Sequence, residues 1–289
     1  MQPFRSARIT SRGSELGLPD ATIPPVKGYV DLHAHVLPGI DDGPPDLDES
    51  LAMLSAAAAS GTTTIAATPH LRADFPDVQV DELANRCAEL RAAIARAGLE
   101  IGLVCAAEVS LVWALEASDE ELRLATYGQR GRDLLVETPT VNVRGLGMVL
   151  HELRVKELRI TLAHPERSAE FQRDPAQLGE LVSQGVLLQV NADSLLRDRR
   201  GSPVGKLARQ LCAEGLAHAL ASDGHRSTSW RPVTGLVRGA EAAAALVGVE
   251  RAQWMLQAAP AAIIAGTELP GPPAIVAHRR WGKLFGRQR

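Results

Sequence analysis

Aromatic side chains are scarce in this chain, at 3% of 289 residues, while apolar residues reach 45%. The core must therefore be built largely from Ala, Val, Leu and Ile. Cysteine is scarcer still: Cys87, Cys105 and Cys212 stand apart, with no Cys-x-x-Cys pair. That argues against a thiolate zinc site or a disulfide framework and fits a reducing cytoplasm. None of the three has an arginine six positions on, so the cradle of cysteine-nucleophile phosphatases is missing. Residues 1–27 carry Arg5, Arg8 and Arg12 without a following apolar run, so no secretory signal is expected. No stretch reaches the ~18 apolar residues of a membrane span. A net charge of −3 leaves no global basic field for nucleic acid. These absences predict a soluble, cytoplasmic protein.

What is present is a repeated alternation. Residues 1–27, with Gly13, Gly17, Pro24 and Pro25, read as a flexible arm. Strands are expected over 28–33, 63–68, 101–107, 134–136, 158–163, 186–190 and 217–221. Helices are expected over 46–60, 80–97, 146–156, 176–184, 204–214, 234–247 and 250–256. Asp46-Leu-Asp-Glu49 resembles a capping box, and Gly61 stops the helix it opens. Strands alternating with helices imply parallel pairing through right-handed crossovers. Seven such units predict a single α/β domain over 28–268, a closed or nearly closed barrel, followed by a basic tail over 269–289.

The chemistry gathers at the strand ends, where such barrels carry their functional groups. The first ends in His33-Ala-His35, and alternate side chains of an extended chain share a face. Asp41, Asp42 and Gly43 then form a turn within reach of that pair. Later strands end at His70, Glu108, Glu137 and His164, and the last at Asp223 and His225. Charged residues are rarely buried unless paired or bound to a cation. So many converging donors exceed one ion and imply two or three. An all-nitrogen-and-oxygen set suits Mn, Fe, Zn or Co. His151, His218 and His278 follow no strand end and are read as ordinary histidines.

The run Asp31-Leu-His-Ala-His-Val-Leu-Pro-Gly-Ile-Asp-Asp-Gly43, followed by Thr64-Ile-Ala-Ala-Thr-Pro-His70, resembles the PHP superfamily. More narrowly it is similar to the bacterial tyrosine-protein phosphatases of the CpsB/CapC/YwqE type. Ala107-Glu108, Val136-Glu137, Ala163-His-Pro-Glu-Arg167 and Ala221-Ser-Asp-Gly-His225 extend the match over roughly 28–265. The resemblance implies a distorted (β/α)7 TIM-like barrel holding a trinuclear site, Mn2+ or another of the ions above. His33, His35, Glu108 and Asp223 would hold the first metal. Glu108 would bridge to a second, completed by Glu137 and His164, and Asp42, His70 and His225 would hold the third. The family's two phosphate-binding arginines would match Arg167 and Arg231, with Arg226 as the alternative to the latter because the intervening segment is one residue longer. Leu71 stands where many relatives have another histidine.

The implied reaction is phosphomonoester hydrolysis without a phosphoenzyme, with Asp42 a candidate proton donor to the leaving oxygen. Three readings compete. The first is a metal-dependent protein-tyrosine phosphatase acting on the autophosphorylated tail of a kinase that controls capsular or exopolysaccharide synthesis. The second is a small-molecule phosphoesterase with the same metal core, and the third a binding protein on an inactive barrel. The intact ligand set counts against the third. Loops 71–79, 109–132 and 192–203 would build the mouth that distinguishes the first two. In the tail, Arg279, Arg280, Lys283, Arg287 and Arg289 accompany Trp281, Leu284 and Phe285 at helical spacing. That pattern fits either a peripheral contact with an anionic surface or acidic partner, or a frayed basic end.

Overall fold

The computed structural model describes residues 28–140, 145–196 and 201–276. The expected arm over 1–27 and the amphipathic pattern at 279–289 lie outside the described residues. The first half runs β1 (Tyr29–Ala34), α1 (Leu47–Ala59), β2 (Thr62–Ala67), β3 (His70–Leu71), α2 (Leu83–Arg96), β4 (Gly102–Cys105), β5 (Glu108–Val109), α3 (Leu111–Glu116) and α4 (Asp119–Ala125). It continues with β6 (Asp133–Glu137), α5 (Leu146–Val155), β7 (Arg159–Ala163), α6 (Ala169–Arg173), α7 (Ala176–Ser183) and β8 (Leu187–Asn191). The last elements are α8 (Pro203–Ala213), β9 (Ala219–Ala221), α9 (Gly235–Val247), α10 (Val249–Gln253) and α11 (Ala259–Ala265).

Every strand pair is parallel, in two sheets ordered β1-β2-β4 and β3-β5-β6-β7-β8-β9. The expected strands over 63–68 and 101–107 thus each appear as a strand, a break and a short continuation. Pro69 has no N–H to offer a ladder, and the Ala107 N–H turns to the Ala125 carbonyl at 3.0 Å. The lines stay side by side across the break, because Ala106 N–H donates to Ala67 O and Glu108 N–H to Pro69 O, both at 3.0 Å. At the other edge the end of β9 meets β1: Asp223 N–H donates to His33 O and His35 N–H to Gly224 O, both at 2.9 Å.

Scarce aromatics shape the interior. Beneath the strand ends, Ala66, Ala106, Ala163, Ala219 and Ala221 pack with Val30, Leu32, Leu135 and Ile263 around Tyr127. Tyr127, one of two tyrosines, fills the space that these small residues leave, and its hydroxyl donates to Leu32 O at 2.9 Å. The larger cluster lies between strands and helices, with Met53, Leu54, Leu83, Leu90, Leu162 and Leu211 buried.

Two local expectations change. Asp46 caps α1 by accepting from Glu49 N–H at 2.9 Å, but the Glu49 carboxylate does not reciprocate. It accepts from the Ser227 N–H at 2.7 Å and the Ser227 hydroxyl at 3.2 Å, tying α1 to the loop after His225. A reciprocal capping box forms instead at Ser118 and Glu121, inside the stretch read as loop 109–132. The helices there, α3 and α4, are too short for a helical period to register. The stretch 269–276, assigned to the tail from sequence, folds back: Trp254 Nε1–H donates to Pro270 O at 2.9 Å and Val276 N–H to Val247 O at 3.0 Å.

Candidate metal centre

The strand ends deliver their side chains to one place. His33 and His35 leave β1 on one face and are fully buried, as is His225. His70 begins β3, Glu108 begins β5, Glu137 ends β6, and His164 and Asp223 directly follow β7 and the short loop step after β9. The turn after β1 needs its glycine, since a Cβ on Gly43 would lie 2.8 Å from the His35 carbonyl oxygen. Among the described residues six non-glycines adopt positive φ, and three of them are His164 (37°), Asp223 (50°) and Arg231 (47°). Such backbone costs roughly 1–3 kcal/mol per residue and collects at functional sites. His164 and Asp223 adopt it just past β7 and β9, and Arg231 in the loop before α9.

Four overlapping groups have donor atoms within 4.8 Å of one another: His35–Asp42–His70–His225, His33–His164–Asp223, His33–His35–Glu108 and His70–Glu108–Glu137. Glu108 is the hub. One oxygen lies 3.0 Å from His70 Nδ1, 3.3 Å from His33 Nε2 and 3.6 Å from His35 Nε2, and the other 2.9 Å from His164 Nε2. Asp223 Oδ1 stands 3.6 Å from His33 Nε2 and 3.7 Å from His35 Nε2. The grouping differs from the expected one: His70, rather than His164, shares a compact group with Glu108 and Glu137, His164 groups with His33 and Asp223, and His35 also joins Asp42, His70 and His225.

The donor set fits metal ions by its unpartnered atoms. His33 Nε2, His35 Nε2, Asp42 Oδ1, His70 Nδ1 and Glu108 Oε2 are buried, face one another and make no hydrogen bond. Buried polar atoms are otherwise nearly always hydrogen-bonded, so five at one point fit an occupant that accepts lone pairs. The electrostatics agree. Burial works against charge on Glu108, yet His33, His70 and His164 hold its carboxyl well below the usual range. For Asp42 and Asp223 too, burial is outweighed, first by the His225 hydrogen bond for Asp42 and first by the His33 charge for Asp223, and both stay ionised. Imidazoles are standing in for positive charge.

Around this core the structure assigns partners that sequence reasoning missed. Asp41 accepts from His35 Nδ1 at 2.7 Å and from the His70 N–H at 3.1 Å, while Asp42, 36% exposed, faces the opening. Gln189 Oε1 lies 2.9 Å from His33 Nδ1, and Asn191 donates to Asp223 at 2.7 Å. Arg72 Nη1 reaches both Glu137 oxygens, at 2.8 and 3.1 Å. Two amides two residues apart in an apolar strand were the one available signal, the same spacing as His33 and His35.

Arg167 Nη1 lies 3.0 Å from Asp223 Oδ2, and Arg231 Nη1 lies 3.3 Å from the same oxygen and 3.3 Å from His225 Nε2. Arg226 is engaged elsewhere, its guanidinium donating to the carbonyls of Asp42, Gly43 and His225. Glu166 turns inward to the Asn191 N–H at 3.0 Å, and burial raises its pKa to about 7. Phe75 stacks on His70 at 5.1 Å and Trp230 stands edge-on to His225 at 5.0 Å, so two of ten aromatics lie against histidines that group with Asp42. His218 lies apart, accepting from the Leu188 N–H, and burial with Arg251 takes its pKa down to about 4. His151 is exposed, and His278 falls outside the described residues. Cys87, Cys105 and Cys212 are all buried in the hydrophobic core.

Among the described residues no helix is long and apolar enough to cross a membrane. A family model described as capsular polysaccharide synthesis, CpsB/CapC, matches residues 29–265. The CapC protein of Staphylococcus aureus is 28% identical over 201 residues, 69% of this chain and 78% of its own length. Tyrosine-protein phosphatase YwqE of Bacillus subtilis is 27% identical over 197 residues, 68% of this chain and 77% of its own. A crystal structure from the study of YwqE and Streptococcus pneumoniae CpsB, described as unique metal-dependent tyrosine phosphatases, superposes with a TM-score of 0.73. That superposition covers 86% of this chain and 100% of the other at 24% identity, and it establishes the shared fold. With the family model spanning both sheets and every candidate ligand, the chain belongs to the CpsB/CapC family.

Proposed function

We propose that this chain is a metal-dependent tyrosine-protein phosphatase that works in the cytoplasm without a cysteine nucleophile. Its substrate on this reading is a phosphotyrosyl protein, the autophosphorylated C-terminal tail of a tyrosine kinase that controls capsular or exopolysaccharide synthesis. The observation that carries the reading is the convergence of Arg167 and Arg231 on Asp223, the carboxylate that borders the cluster of unpartnered donors. The strands are read as a distorted (β/α)7 barrel, with β2–β3 and β4–β5 each counting once, within one domain over 28–268.

The residues would hold two or three ions, Mn2+ or Fe, Zn or Co. His33, His35, Glu108 and Asp223 hold one, Glu108, Glu137 and His164 a second, and Asp42, His70 and His225 a third, with His70 also in reach of Glu108 and Glu137. Bound ions of this kind lower the pKa of water and neutralise charge developing on a phosphoryl group. The chain supplies the rest. Two guanidiniums grip phosphoryl oxygens through planar forks that lysine cannot reproduce. On binding, those oxygens replace Asp223 as the arginines' acceptors. Phe75, stacked on His70, and Trp230, beside His225 with Arg231 over its ring, put aromatic side chains next to the cluster, which favours phosphotyrosine over an alkyl phosphate. Asp42, held ionised beside His225, acts as a ligand rather than as proton donor to the leaving phenolate.

The test is a substrate and inhibitor panel. p-Nitrophenyl phosphate and phosphotyrosine peptides should be hydrolysed, with little activity on phosphoserine peptides. Turnover should vanish with chelator, return with Mn2+ and survive thiol alkylation. Turnover that resists chelator and is lost on alkylation would overturn the reading.

A further inference from the structure

β8 supplies no candidate ligand, yet it carries two buried amides. Gln189 and Asn191 share one face of the strand and are 0% and 4% exposed. They form a chain of side-chain hydrogen bonds: His33 Nδ1 to Gln189 Oε1 at 2.9 Å, Gln189 Nε2 to Asn191 Oδ1 at 2.9 Å, and Asn191 Nδ2 to Asp223 Oδ2 at 2.7 Å. The chain thus joins the first metal-facing histidine to the carboxylate across the cluster.

Its direction is forced from the Asp223 end. An ionised carboxylate only accepts, and two arginines at 3.0 and 3.3 Å keep Asp223 in that form. Asn191 must therefore present its N–H to Asp223, which leaves its oxygen for Gln189. Gln189 must present its own N–H to that oxygen, which leaves its oxygen for His33. An amide oxygen needs a donor, so His33 carries a proton on Nδ1, and in the neutral ring the lone pair is left on Nε2. Nε2 is the nitrogen that faces Glu108 at 3.3 Å and Asp223 at 3.6 Å with no hydrogen bond.

We infer that Gln189 and Asn191 are positioning residues that impose the Nδ1–H tautomer on His33, relaying the ionised state of Asp223 through two neutral amides. The inference rests on His33 and Asp223 being metal ligands. The two histidines of β1 are then set by different means: His35 by the carboxylate of Asp41 at 2.7 Å, His33 by an amide chain. A carboxylate adds charge behind its imidazole, whereas an amide orients it without adding any. The pair offers one more basic and one less basic nitrogen to the same region.

The experiment uses full-length protein with 15N-labelled histidine, metal-free, above the pH at which the His33 imidazole titrates. The His33 signal is assigned by its loss in His33→Asn. Wild-type protein should show the Nδ1–H form, and an Nε2–H form would overturn the inference whether or not any variant folds. Gln189→Leu removes the acceptor, so its His33 should move to the Nε2–H form. Mn2+ affinity, read by chelator competition, should fall about 10- to 100-fold, the usual range for losing a partner behind a ligand. Gln189→Glu restores an acceptor and should recover the Nδ1–H form. A Gln189→Leu variant that keeps the Nδ1–H form and binds Mn2+ within twofold of wild type would overturn the inference. If that variant does not fold, Asn191→Ser takes its place with the same two readouts. The tautomer is read without metal or substrate, so it fails separately from the phosphatase reading, which fails in the turnover panel.

Discussion

Glu108 and Glu137 stand at the ends of neighbouring strands and are held by opposite means. Glu108 is buried among His33, His35, His70 and His164, with no arginine against it among the described residues. Glu137 is 18% exposed on its side chain and is clamped by Arg72 at 2.8 Å. A buried carboxylate needs positive charge beside it, and imidazoles provide that only by taking up protons. Glu108 therefore depends on ions that the chain does not supply. Glu137 has its countercharge built in. The comparison separates a residue on which the whole centre depends from one that shapes its edge.

Glu108→Ala should break the comparison from the deep side. Uncompensated buried charge costs ~3–5 kcal/mol, so kcat/KM should fall by about 10³-fold, at tenfold per ~1.4 kcal/mol, with metal lost as well. Metal analysis beside the rate assay checks both. A variant with its full metal complement and near-normal turnover contradicts the hub role.

Glu137→Ala should cost less, about 100-fold in kcat/KM, because solvent already screens that edge. Metal content should drop only in part. An effect as large as that of Glu108→Ala, in both rate and metal, would erase the distinction.

Arg167→Lys keeps the charge and loses the fork. With fold and metal content intact, kcat/KM should fall about 10- to 100-fold, matching the ~1.5–3 kcal/mol of a charge-assisted contact. Inorganic phosphate should inhibit more weakly. Unchanged kinetics with unchanged phosphate inhibition would remove Arg167 from the site.

The smallest effect is expected at the rim. Trp230→Ala should lower kcat/KM for phosphotyrosine peptides about fivefold, the range of a ~1 kcal/mol aromatic contact. Inhibition by phenylphosphonate should weaken more than inhibition by methylphosphonate. Equal weakening of the two would show that the indole does not meet the aryl ring.

The candidate cluster was legible because several of its members follow an apolar run at once, as His164 follows Leu162-Ala163 and Glu108 follows Cys105-Ala-Ala107. An ionisable group at that place has few readings. The supporting contacts were not legible. Arg72 meets Glu137 across 65 residues of sequence, and nothing local marks either as the other's partner. Gln189 and Asn191 are neutral and sit in an apolar strand, where an amide looks like a defect until His33 and Asp223 are seen on either side. Of two consecutive carboxylates, only the turn geometry tells that Asp41 faces His35 and Asp42 the opening. The fold was readable as alternating strands and helices. The breaks at Pro69 and Ala107 were not, since they depend on which neighbour takes each N–H.

The left-handed backbone at His164, Asp223 and Arg231 has a consequence for how this protein could drift or be engineered. Glycine and asparagine adopt such dihedrals with less strain than other residues. Selection for heat resistance alone would therefore favour Gly or Asn at these three positions. Asp223→Gly and His164→Gly would relax the chain and at the same time remove a candidate metal-binding group. The shortest mutational path to a hardier descendant of this protein leads to an inert one, so a library screened for stability needs turnover as a second filter from its first round.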